Sequence, residues 1–73
     1  MKPNFILKAL RIKNQLKQQE VAKMLGISET TYNRKENGFN EFTIKEAIKL
    51  GEIFSVYPGE IFFTSNVTKN ITG

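Results

Sequence analysis

Seventy-three residues allow one small domain at most, and 40% hydrophobic content is enough for a core, which excludes wholesale disorder. Cys and His are both absent, so disulfide staples and an ordinary zinc site are excluded, and helix packing or association must supply the stability. A formal charge of +4 favours a polyanionic partner, nucleic acid or an acidic membrane surface, the alternative being a soluble basic protein without one.

The punctuation divides the chain into short helical segments. The first runs from about Asn4, an N-cap after Pro3, to about Lys13, with Ile6, Leu7 and Leu10 at helical spacing and Phe5 and Arg11 on the flank. Asn14-Gln15 is the turn that follows, with Asn14 suited to the left-handed conformation. The second helix spans about Gln18 to Leu25; its stripe is Val21, Ala22 and Leu25, and Gly26 is its stop.

A third helix starts at Ser28 and ends at Asn37-Gly38. Ile27 and Tyr32, with Thr31 and the Lys35 stem, are all it offers to a core. The fourth opens with the capping box of Thr43 and Glu46 and is expected to bury Ile44, Ala47, Ile48, Leu50, Gly51 and Phe54. Pro58 starts a last short turn reaching about Phe63. Residues 64–73 are polar and aperiodic. The reading is all-α, a compact five-helix domain over 1–63 with a C-terminal tail over 64–73.

Phe5-Ile6-Leu7 is broken by Lys8, too short for a signal-peptide core, and nothing approaches a membrane span. A cytoplasmic protein without a membrane partner is therefore expected. The triplets Asn66-Val67-Thr68 and Asn70-Ile71-Thr72 are then chance matches to a glycosylation pattern.

Two short helices joined by a tight turn with Gly form the helix-turn-helix unit, whose second helix presents a polar face to the major groove. That explains "SETTYNRKENG", a helix with little to bury. Asn33 and Arg34 lie on its exposed side and are suited to adenine and to guanine or phosphate. Lys35, Asn37 and the amides around Thr43 are candidates for phosphate. Lys8, Lys13 and Lys23 are ordinary surface charge. Ile61, Phe62 and Phe63 make an apolar run suited to a homodimer interface, with Val67 joining it; the alternative is a cap on the monomer's own core.

Residues 5–63 resemble the Cro and phage-repressor class of helix-turn-helix regulators, the Xre type. The resemblance rests on Leu7 and Leu10 before Arg11, Gln18 opening the second helix, "EVAKMLGIS" with Ala22 and Gly26, Glu36-Asn37-Gly38, and "IFSVYPGEIF". Tyr32, "RKENG" and "EFT" further resemble small regulators of Gram-positive bacteria and their mobile elements. The resemblance implies a lambda-repressor-like fold, with Glu29 and Thr30 at the leading base-reading positions and Gln18 contacting phosphate while bracing the third helix. Ser28 is a helix cap with any phosphate contact additional, and Arg11 and Glu36 are implied to form a structural ion pair.

The chain departs from the pattern at Gln15, where Gly is usual, at Lys17 in place of a Ser or Thr cap, at Lys35 in place of an apolar residue, and at Glu41, which would repel phosphate. The expected function is a sequence-specific double-stranded DNA-binding regulator, a dimeric repressor of phage or mobile-element type on a near-palindromic operator. The alternative is an antitoxin or a protein-interaction module on the same fold. No catalytic constellation is present, and no cofactor, metal or small-molecule ligand is expected.

Overall fold

The computed structural model describes residues 2–63, which form five helices and no strand. α1 (Phe5–Lys13) begins where the Asn4 side chain accepts a hydrogen bond from the Leu7 N–H at 3.0 Å. The same Asn4 donates through Nδ2 to the Ile61 carbonyl at 3.2 Å and through its backbone N–H to the Glu36 carbonyl at 2.8 Å. One cap residue thus ties together the start of α1 and the ends of two other helices.

The turn after α1 is left-handed at Gln15 (φ 58°), while Asn14 keeps φ −88°. The expectation placed the left-handed residue one position early. Asn14 instead uses its side-chain amide to donate to the Leu10 carbonyl at 2.7 Å, closing the helix end. α2 (Gln18–Leu25) stops at left-handed Gly26, and Ser28 opens α3 (Glu29–Glu36) by accepting from the Thr31 N–H at 3.1 Å. α4 (Ile44–Phe54) starts with the Thr43–Glu46 capping box, each side chain accepting from the other residue's backbone N–H. α5 (Pro58–Phe62) is a short final helix with Pro in its first turn.

The core is Leu7, Val21, Ala22, Tyr32, Leu50, Phe54 and Ile61, so every helix sends at least one side chain inward. Burying each of the larger ones is worth about 1.5–3 kcal/mol. α3 packs most extensively against α2, as a helix-turn-helix requires. Phe42 lies between α3 and α5, meeting the Tyr32 ring at 5.9 Å and the Phe62 ring at 5.6 Å, both edge-on.

Several apolar side chains expected inside are exposed. Ile44 is 80% exposed, and Ile48 and Ile6 also face outward. α4 is held through Leu50, Gly51 and Phe54 near its C-terminal end, so its first two turns carry Ile44 and Ile48 along an open flank. Gly51 sits where α4 meets the 56–58 segment: a Cβ there would lie 2.7 Å from the Val56 carbonyl oxygen. Ile61 corrects the expected dimer surface. It is 2% exposed within the protomer's own core, leaving half-buried Phe62 and exposed Phe63 as the outward members of that run. Val67 lies outside the described residues.

Candidate nucleic-acid interface

The third helix is anchored by very little apolar surface, and its two buried residues are Tyr32 and Glu36. A buried carboxylate is costly unless it is paired and hydrogen-bonded. Glu36, fully buried, is both. Its Oε2 accepts from Arg11 Nε at 2.9 Å and from the Tyr32 hydroxyl at 2.6 Å. Its Oε1 accepts from Arg11 Nη2 at 3.1 Å and from Gln18 Nε2 at 3.0 Å. Arg11 donates once more, from Nη1 to the Leu16 carbonyl at 3.0 Å. The cluster therefore joins α1, the turn after it, α2 and α3.

The electrostatics follow from that geometry. Burial pushes the Glu36 carboxyl up, but hydrogen bonds from Arg11, Tyr32 and Gln18 outweigh it and hold the group below the usual carboxylate range. Burial, reinforced by the adjacent carboxylate, pushes the Tyr32 hydroxyl well above its ordinary value, so it stays a donor. The hydrogen bond to Glu36 raises the Arg11 guanidinium. The result is a hydrogen-bonded charge pair beneath α3 that ties this helix to α1 and α2.

Gln18 passes this order outward. It donates to Glu36 and accepts from Asn33 Nδ2 at 3.1 Å, so the Asn33 amide is oriented on the surface of α3. Glu29, Thr30 and Arg34 are exposed on the same helix. The structure thus places the four expected base-reading side chains at the surface of one short helix, with Asn33 tethered to Gln18. Ser28 is committed to its capping role, its hydroxyl also donating to Thr31 Oγ1 at 2.8 Å. Asn37 folds back to donate to the Asn33 carbonyl at 2.9 Å, closing the helix.

Lys35 departs from expectation. Its ammonium does not reach outward; it donates to both Glu46 oxygens, at 2.7 and 2.9 Å, with both side chains 12% exposed. An apolar residue there would pack on Phe42. The lysine head lies 5.9 Å from the Phe42 ring centroid and is neutralised by Glu46 of α4. Burial pushes the Glu46 carboxyl up, and the bonds from Lys35 and the Thr43 N–H outweigh that and lower it. The capping box uses the Thr43 and Glu46 amides internally, so Ile44 and Lys45 supply the remaining first-turn amides of α4.

Two contacts were not anticipated. Arg34 Cζ lies 5.2 Å from the Phe39 ring centroid, in the loop beyond α3. Tyr32 and Glu36 bond across one helical turn, a spacing visible in the sequence as a polar pair four residues apart.

A family model described as Helix-turn-helix matches residues 7–61, most of the chain. The chain belongs to the Cro/C1-type, Xre-like helix-turn-helix family. This makes it a DNA-binding helix-turn-helix regulator, with double-stranded DNA as its partner class. Comparison with curated proteins and with solved structures found no match. None of the helices among the described residues is long and apolar enough to cross a membrane.

Proposed function

We propose that this helix-turn-helix protein is a sequence-specific transcriptional repressor of phage or mobile-element type, acting as a homodimer in the cytoplasm. The observation that carries the reading is the mounting of α3. A helix with only Tyr32 and Glu36 buried is locked by a neutralised, fully hydrogen-bonded cluster, while Glu29, Thr30, Asn33 and Arg34 remain at its surface. Such expense of polar groups on orientation makes sense for a helix that enters the major groove.

In this reading Glu29 accepts from cytosine N4, Thr30 packs or bonds at thymine, and Asn33 and Arg34 present paired hydrogen bonds to adenine and guanine. Gln18 fixes Asn33 from beneath. The Gln18 and Gln19 amides at the start of α2, which Lys17 does not cap, and the amides after Thr43 meet phosphates. Asn37 and Ser28 hold the helix ends, and Lys35 supports α4. Phe62 and Phe63, beside Ile44 and Ile48, form the dimer surface, and the operator is a near-palindrome with half-sites about 34 Å apart.

Binding to duplexes from the promoter of its own gene, against scrambled duplexes at fixed salt, tests this. Arg34→Ala or Asn33→Ala should weaken specific binding by roughly 1–3 kcal/mol per half-site and relax preference at one base pair. Glu29→Gln should raise affinity for random DNA and lower discrimination. Parent-like binding by all three variants would remove α3 from the groove and leave a protein-interaction module.

A further inference from the structure

Phe39 presents an aromatic ring to solvent in the loop immediately after α3, 51% exposed, although Phe42, three positions later, packs against the core. The ring does not serve the core. We infer that Phe39 is a positioning residue for Arg34, a platform that holds the guanidinium for groove reading; the inference rests on the proposed role of α3.

Three features support it. The Arg34 guanidinium carbon stands 5.2 Å from the ring centroid, within the range of a cation–π contact. The loop is folded back on Arg34 itself: the Phe39 N–H donates to the Arg34 carbonyl at 2.9 Å, and the Asn40 N–H shares that oxygen at 3.4 Å. The reversal passes through Gly38 at φ 86°, where a Cβ would collide with the Lys2 backbone, so the N-terminal segment packs tightly over the turn. The backbone beneath the ring is therefore fixed from two sides relative to the residue whose side chain it touches.

The consequence is conformational. A free arginine on a helix surface samples many rotamers, and ordering it on DNA lowers affinity. A cation–π contact with the ring restricts the guanidinium beforehand and leaves N–H groups available for a base or phosphate. Lysine, with no planar head group, would gain less from the ring.

The test compares parent, Phe39→Ala, Phe39→Leu, Phe39→Tyr, Arg34→Ala and Arg34→Ala/Phe39→Ala on operator and random duplexes, with thermal unfolding run in parallel. Phe39→Ala and Phe39→Leu should lose about two- to five-fold in operator affinity per half-site, with unchanged binding to random DNA. Phe39→Tyr should retain parent affinity, since it keeps the aromatic face. In the Arg34→Ala background, removing Phe39 should have no further effect. The positioning role is overturned if Phe39→Ala matches the parent while Arg34→Ala is weakened. It is equally overturned if the Phe39→Ala loss persists undiminished without Arg34, which would mean that the ring touches DNA itself. Parent-like binding by Arg34→Ala would instead remove the arginine from the groove, and the positioning role with it.

Discussion

Replacing Glu36 with Gln probes the cluster that carries α3. Both carboxylate oxygens are doubly occupied, Oε1 by Arg11 Nη2 and Gln18 Nε2, Oε2 by Arg11 Nε and the Tyr32 hydroxyl. Gln must put its NH2 group at one of these two places. Facing the first pair, it can be accommodated by turning the Gln18 amide; facing the second, by rotating the Tyr32 hydroxyl. Neither adjustment helps Arg11, which has only donors. One guanidinium N–H loses its acceptor, and a charge whose side chain is 11% exposed loses its neutralising partner.

Removing one partner of a buried pair costs about 3–5 kcal/mol, and the bonds that a Gln carbonyl keeps reduce this to roughly 2–4 kcal/mol. At this chain length each kcal/mol lowers Tm by about 4–8 °C. Thermal unfolding followed by far-UV circular dichroism at pH 7 should therefore show a fall of at least about 8 °C. A fall under about 4 °C would refute the assignment of Glu36 as the anchor. The pH dependence provides a second reading. Because Glu36 is lowered in the folded state, its stabilisation is present above the unfolded carboxylate pKa of about 4.3 and is lost as pH falls through the lower folded value. The gap between parent and Glu36→Gln should narrow below about pH 4.

Lys35→Met keeps an unbranched side chain but strips Glu46 of its cation; it should destabilise by about 1–2 kcal/mol and leave the salt dependence of DNA binding unchanged, whereas a lost phosphate contact would flatten that slope by about one unit. Gln15→Gly relieves a left-handed residue and should stabilise by about 0.5–1 kcal/mol, read as a higher denaturation midpoint; an unchanged or lower midpoint contradicts it. Phe63→Glu or Ile44→Glu should turn a sedimenting dimer into monomer, and a parent that remains monomeric at high micromolar concentration, with and without DNA, excludes the dimer.

The helix limits were legible in the sequence because they depend on neighbours a few positions away. Asn4, Ser28 and Thr43 cap by bonds to residues three positions on, and Gly26 stops α2 by its own φ. The polarity of "SETTYNRKENG" likewise announced a helix with a face turned away from the core. What packs against what was not legible. Ile44, Ile48 and Ile61 have equal claims to burial in a linear pattern. Only the docking of α4 through its C-terminal end exposes the first two, while the Asn4 clamp accompanies the burial of the third. Lys35 reads as a surface cation until Glu46, eleven residues away, is brought against it. Arg34 and Phe39 are ordinary exposed residues until the turn at Gly38 folds one over the other. Local hydrogen bonding needs only sequence proximity, but the partner of a long side chain is decided by how helices pack, and that is a property of the tertiary structure.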